Sequence, residues 1–280
     1  GEESCRPCAP GSFAAGFGTI RCSLCPGGWF SEVNGSTSQA SCLQCPAGSF
    51  SEPGSGNASL CVACGPGTFG AAPGQASCHQ CPVGTFSNSS GSTSASVCRS
   101  CPAGTAGSVL GAGDEALCSP CPAGFYALER NLSSGLTARQ CVACPAGTFS
   151  STEGGEGLSS CRACPLGSFS RSTAAESCLP CPIGSFGSTV GLSHASQCTL
   201  CPAGTFGTAE GSGSDGCTPC SAGSFSISPG SLECSVCPVG TNSSGLRGAS
   251  SVTSGCSLCP VGTYNDVQDG QCIECPRAFF

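Results

Sequence analysis

The chain has 280 residues, with 16 acidic against nine basic side chains, no lysine and a formal net charge of -7. So acidic a chain is a poor match to phosphates, which argues against nucleic acid and anionic membrane surfaces as partners. Thirty cysteines and 43 glycines, with one tryptophan and no methionine, exclude a conventional hydrophobic core: large aliphatic side chains are scarce, and glycine raises the entropy cost of ordering.

Cysteine at more than a tenth of the residues is the range of disulfide scaffolds in oxidising compartments. Each bond that closes a loop of about 15 residues contributes roughly 3 kcal/mol by restricting the unfolded chain. Many local bonds therefore hold what packing cannot. With only 9% charged residues, solvation falls to hydroxyls and attached sugars. The sequence has no window of 18 apolar residues, so direct membrane insertion is not expected. No signal peptide stands at Gly1, and with export implied by the cysteines, the chain is expected to be a segment of a longer protein.

From the N-terminal end onward one unit recurs: two cysteines three apart, then proline, a small residue, glycine, a hydroxyl residue and an aromatic. Cys42-Leu43-Gln44-Cys45-Pro46-Ala47-Gly48-Ser49-Phe50 is a clear copy. Fifteen CxxC pairs start at Cys5, Cys22, Cys42, Cys61, Cys78, Cys98, Cys118, Cys141, Cys161, Cys178, Cys198, Cys217, Cys234, Cys256 and Cys272, at intervals of 16 to 23 residues. Repetition of this kind indicates an array whose units mainly contact their neighbours. Proline follows the second cysteine in twelve units, and glycine stands three past it in all but the last, where Ala278 replaces it. The pattern predicts a rigid corner, a type I turn with proline at the first central position and glycine at the fourth. Five past the second cysteine an aromatic recurs as Phe13, Phe30, Phe50, Phe69, Phe86, Tyr126, Phe149, Phe169, Phe186, Phe206, Phe225, Tyr264 and Phe280. Ala106 and Asn242 hold that place in the other two units.

Beyond each corner, segments such as Thr85-Phe86-Ser87 are long enough for one short strand. The spacer that follows, residues 88–97 for example, is too polar and flexible to join a core. Spacers with Leu or Val, such as Ser108-Val109-Leu110-Gly111 and Gly191-Leu192-Ser193, are expected to fold back on their own aromatic. None has an extended helical stripe, so almost no helix is expected. Spacer length is greatest between Cys121 and Cys141 and least before Cys272, variation that surface loops tolerate. With no linker, charge run or composition shift, residues 1–280 read as one continuous array of about fourteen to fifteen small disulfide-rich repeats. The expected architecture is an elongated rod of short strands and turns.

A serial scheme is the natural pairing: Cys8 with Cys22, Cys25 with Cys42, Cys45 with Cys61, Cys64 with Cys78, Cys81 with Cys98, Cys101 with Cys118, Cys121 with Cys141, Cys144 with Cys161, Cys164 with Cys178, Cys181 with Cys198, Cys201 with Cys217, Cys220 with Cys234, Cys237 with Cys256 and Cys259 with Cys272. It leaves Cys5 and Cys275 without partners. Irregular pairing at the ends and bonds inside each CxxC pair are the alternatives, the latter being small rings that usually serve redox exchange. Asn-x-Ser sequons stand at Asn34, Asn57, Asn88, Asn131 and Asn242, beyond the corners, where a spacer can carry a bulky glycan.

Sharper chemistries fare worse. Four-cysteine zinc sites match the spacing of two CxxC pairs, but fifteen pairs do not divide evenly into such sites, and acidity, sequons and the following prolines fit export better. Redox activity needs a repeated helix N-terminus or cation beside the thiols; Arg6, Arg99 and Arg162 are read as scattered surface charge. His79 and His194 lack a partner arrangement for catalysis and are read as exposed polar residues. Asn265, Asp266, Asp269 and Gly270 lack the full ligand set of a calcium loop and are read as a solvated turn. No enzyme activity, metal or cofactor is expected. The recurrent rings are read as packing against disulfides, with Trp29-Phe30 and Phe279-Phe280 as the places where an excess ring would serve an interface.

Cys-x-x-Cys-Pro-x-Gly-Thr-Phe followed by a Ser/Gly spacer, most faithful at Cys144-Pro145-Ala146-Gly147-Thr148-Phe149 and Cys201-Pro202-Ala203-Gly204-Thr205-Phe206, resembles the ephrin-receptor-like cysteine-rich repeats, also described as GCC2 and GCC3 repeats. It is similar as well to tumour necrosis factor receptor modules. The resemblance covers essentially the whole chain and implies an extracellular or cell-surface location, an elongated form and the serial pairing. Absence of lysine and methionine with abundant Gly, Ala and Ser gives the look of a GC-rich protist or algal genome; among such proteins the chain resembles part of a mastigoneme, a flagellar hair. The expected role is structural: a glycosylated, disulfide-stapled rod in an extracellular filament, coat or flagellar appendage, with neighbouring copies or other extracellular structural proteins as partners. A receptor or adhesion ectodomain binding a protein ligand is the alternative, with Trp29, Phe30 and the Cys121 to Cys141 spacer as its first candidates.

Overall fold

The computed structural model describes residues 6–16, 18–266 and 271–275. Among these the chain forms fourteen two-stranded antiparallel sheets, and helix is confined to single turns such as Ala95–Val97 and Val252–Gly255. The CxxC spacing explains the sheets. In most, the two residues between the cysteines pair with the hydroxyl residue and the aromatic of the preceding corner, as Ser100 with Thr85 and Arg99 with Phe86. The first cysteine ends a spacer, two residues make the return strand, and the second cysteine opens the next corner.

The corner differs from the type I turn expected of it. Ser49 N–H donates to Pro46 O at 3.2 Å, so the turn starts one residue later, and Gly48 is its third residue with φ at 82°. That is the type II arrangement, which needs a positive φ at this place. The hydroxyl residue closes the same carbonyl a second time: Ser49 Oγ donates to Pro46 O at 2.7 Å, as Thr85 Oγ1 does to Pro82 O at 2.6 Å. The frame shifts because the glycine amide is taken by the following repeat.

Two compact units divide the chain: Gly1–Pro122 with Tyr126–Val142 and Glu153–Leu158, and Ala123–Phe125 with Ala143–Thr152 and Ser159–Phe280. In the first, Gly48 N–H donates to Gly70 O of the next repeat at 2.9 Å, and Gly48 O accepts from Cys64 N–H at 2.8 Å. The amide of the spacer glycine Gly91 donates in turn to Cys64 O at 2.7 Å. A Cβ on Gly48 would overlap the carbonyl of Gly91, which lies two repeats on. Contact therefore reaches one repeat further than the adjacent one.

The second unit repeats these relations. Gly147 N–H donates to Ser170 O at 2.8 Å and Gly191 N–H to Cys164 O at 2.8 Å, and Gly191 O lies where a Gly147 side chain would go. Ala174 takes the place of the spacer glycine in one repeat, donating to Cys144 O at 2.9 Å. With φ at 59° it is the non-glycine residue in the left-handed region among those described.

Spacers contribute more to burial than their polarity suggested. Ser92, Ala112, Leu192 and Ala249 are all buried, because the residue after the spacer glycine is held against the preceding repeat. Leu192 packs on Phe169 with Cys181 and Cys198, not on Phe186 of its own repeat. Val109 and Leu110, also expected to fold back, are exposed, and Ala112 faces Phe86 instead. Single-turn helices in the longer spacers are capped by side chains of Ser38, Ser94, Asp114 and His194.

Two substitutions separate the glycine requirements. Gly67→Ala, whose Cβ would overlap the carbonyl of Gly111 at a φ of 77°, is expected to cost at least roughly 2 kcal/mol locally. Ala174→Gly is expected to stabilise by about 1 kcal/mol, relief of the left-handed alanine exceeding the added chain entropy. Hydrogen exchange should show faster exchange at Cys81 and Gly111 in the first variant and slower exchange around residue 174 in the second.

Candidate functional site

The chemistry of this chain lies in its sulfurs. Fourteen disulfides run from Cys8–Cys22 to Cys259–Cys272, each joining the second cysteine of one pair to the first of the next, with Cα atoms 5.5 to 5.9 Å apart. Sequence separations are 13 to 20, and the longest belongs to Cys121–Cys141. Second cysteines from Cys25 to Cys220 are completely buried. Cys275 carries the corner hydrogen bond of a second cysteine, its N–H on Gly262 O at 2.9 Å, and its thiol is unpaired among the described residues. Cys5 lies outside the described residues.

Rings pack on the sulfurs of the following repeat. Phe13 meets Cys25 and Cys42, Phe169 meets Cys181 and Cys198, and Phe225 meets Cys237 and Cys256. Phe13, Phe86, Phe169 and Phe225 are buried and most others half-buried; Tyr264, at 44% exposed, is the outlying ring among those described. Trp29 is half-buried against the Phe13 cluster. It replaces the corner hydroxyl, as Phe125 does in a later repeat, where Phe125-Tyr126 forms a second aromatic doublet that the recurrent pattern of one ring per repeat does not announce. Phe279 and Phe280 lie outside the described residues.

The model matching the chain is that of the tyrosine-protein kinase ephrin type A/B receptor-like family, over residues 1–42, 54–98, 67–117, 132–177, 153–198, 167–216 and 207–254. The chain belongs to this family. No curated protein matches it. Membership and the fourteen disulfides together indicate an extracellular or cell-surface domain. No helix among the described residues is long and apolar enough to cross a membrane.

Within this ephrin-receptor-like array the sequons occupy different settings. Asn34, Asn57, Asn88 and Asn131 are exposed. Asn131 ends the strand Phe125–Asn131. Asn242 is half-buried inside the strand Thr241–Ser243, opposite Ser257. It takes the ring position, which is a strand position in every described repeat.

His194 is a helix cap: its Nδ1 accepts from Ser196 N–H at 3.1 Å and Gln197 Oε1 accepts from its own N–H at 3.0 Å. His79 lies 5.6 Å from the Phe69 ring and accepts from Gln75 Nε2 at 2.9 Å. Arg6, Arg99 and Arg162 are exposed. Asn265 and Asp266 lie on the strand Thr263–Asp266, with Asn265 opposite Cys272, and not in a turn; Asp269 and Gly270 lie outside the described residues. Among the described residues no three His, Cys, Asp or Glu side chains are grouped to hold a metal ion.

One repeat departs from the rest. Its long spacer forms a hairpin of Phe125–Asn131 with Thr137–Ala143 and supplies no spacer glycine amide for Cys101. Arg139 takes over both functions of that glycine. Its carbonyl lies where a Gly84 side chain would go, and its Nη1 donates to Cys101 O. Nη2 pairs with Glu129 at 3.4 Å. The sequence shows the long spacer but gives no sign of this substitute donor.

Removing one bond should act locally, since each bond is flanked by others. The double variant Cys181→Ser with Cys198→Ser opens a 17-residue separation and is expected to cost about 3 kcal/mol. Hydrogen exchange should lose protection at Phe169, Leu192 and the two flanking repeats, while amides near Gly48 keep theirs.

Proposed function

We propose that this chain is a structural component of an extracellular filament, surface coat or flagellar appendage, acting as a disulfide-stapled, glycosylated rod that neighbouring copies or other extracellular structural proteins bind. The observation that carries the reading is the continuity of the covalent path. From Cys8 the path crosses to Cys22, follows two residues to Cys25, crosses to Cys42 and proceeds in the same way to Cys272. Every spacer is bypassed. Tension applied along the array therefore meets sulfur–sulfur bonds and two-residue strands, and the spacers stay slack. A non-enzymatic role suits an array whose histidines serve as a cap and a ring neighbour.

Two measurements test it. Scattering from the oxidised protein should give a radius of gyration at least twice the roughly 19 Å of a compact domain of this length; a value near the compact one overturns the rod. Under force, the oxidised array should release no spacer length, whereas reduction should free roughly 50 Å for a loop such as Cys25–Cys42. Glycans are expected on Asn34, Asn57, Asn88 and Asn131 but not on Asn242, as read by the mass lost on enzymatic deglycosylation of secreted protein. Equal occupancy of all five would show that the strand setting of Asn242 does not matter.

The alternative reading, a receptor or adhesion ectodomain, has one observation in its favour. The repeat without a ring at Ala106 and the repeat with the long hairpin are adjacent and share a pocket.

A further inference from the structure

A ring at position 106 would pack on the disulfide of the following repeat, as Phe13, Phe169 and Phe225 do. That disulfide is Cys121–Cys141. Alanine stands there instead, and beside it lies a pocket of about 580 Å³, lined in part by Ala106, Cys141, Pro120, Leu132 and Ala138. Its size falls in the usual range of ligand sites. The walls are mostly apolar, and Leu132 and Ala138 come from the hairpin that makes this repeat irregular.

Two guanidinium groups give the pocket a basic edge. Arg130 and Arg139 both line it, and none of its described lining residues is acidic, although acidic side chains outnumber basic ones 16 to nine overall. Arg139 is engaged by Cys101 O and Glu129, which leaves Arg130, exposed at the end of the hairpin, free of any ion pair among the described residues. An apolar socket beside an unpaired guanidinium fits a ring carried next to a carboxylate.

We infer that the pocket at Ala106 is a docking site for a partner protein segment in which an aromatic residue stands beside an acidic one, the partner's ring filling the place that this repeat leaves vacant. The inference holds whether the array is a rod or a receptor, since it rests on the pocket alone. Scattering and peptide binding therefore fail independently.

The test uses the full oxidised chain and two synthetic peptides, acetyl-Gly-Glu-Phe-Glu-Gly-amide and its alanine counterpart, titrated by calorimetry or NMR. The phenylalanine peptide is expected to bind at least ten-fold more tightly than the alanine one. Ala106→Phe should abolish that binding while keeping all disulfides and an equal or higher melting temperature, because the new ring occupies the socket. Arg130→Glu should weaken binding at least five-fold and leave the melting temperature unchanged. Equal binding of the two peptides, or unchanged binding to Ala106→Phe, overturns the proposal. Phenylpropanoate binding as tightly as the peptide would overturn the assignment to a protein segment in favour of a small aromatic acid.

Discussion

The corner glycine is the constraint on which this architecture depends. It must adopt a positive φ, donate to the next repeat, accept from the cysteine that closes its own hairpin, and leave room for a carbonyl two repeats on. At Gly48 all four conditions meet on one residue. Any side chain breaks the first and the last together. Spacer glycines meet the same corners from the other side, and Ala174 shows that a small residue is tolerated there at the cost of a left-handed backbone. Fixed corners also explain why spacer length is free. Disulfide separations vary from 13 to 20, yet in most repeats the amides that join one corner to the next keep their partners, the loop closed by Cys121–Cys141 being an exception.

Disulfides and rings together replace a core. Each hydrophobic cluster is small: Phe169, Leu192 and one bond between Cys181 and Cys198. Burial on that scale does not offset the entropy of ordering some twenty residues, which is roughly 1.5 kcal/mol each. Cross-linking lowers the entropy of the unfolded chain instead, and a buried sulfur pair doubles as the surface on which the neighbouring ring packs. Because that ring belongs to the preceding repeat, stability passes along the array and is not confined within single units. Backbone contact two repeats away strengthens this coupling beyond the nearest-neighbour case.

Much of this was legible in the residues, and the failures have a common cause. The cysteine spacing, the strand after each corner and the scarcity of helix follow from local pattern, so they could be read directly. The turn frame could not: proline and glycine at those places suit type I and type II alike, and what decides between them is the amide of Gly48 reaching Gly70 in another repeat. Leu192 was assigned to the wrong ring for the same reason, since Phe169 and Phe186 are equivalent in sequence and differ only in which one the spacer crosses. Asn242 was legible at the ring place of its repeat, five residues past Cys237, and the structure has it on a strand. Phe125 stands where a hydroxyl usually closes the corner, a departure visible in the residues whose consequence lies in the hairpin that follows.

Arg139 is a different kind of case, because no local pattern announces it. The hairpin removes a backbone donor from Cys101 O, and a buried carbonyl without a partner is costly. A long side chain returning from the strand restores the bond, and the Glu129 carboxylate holds the other guanidinium nitrogen. The hairpin also brings Ala138 and Leu132 to the side of Ala106, so the missing ring and the inserted strands are parts of one local rearrangement. A single ring deletion in a regular array would leave a dry cavity and a loss of stability. Here the deletion coincides with a hairpin that walls the space and a guanidinium at its edge, which is the difference between a packing defect and a socket.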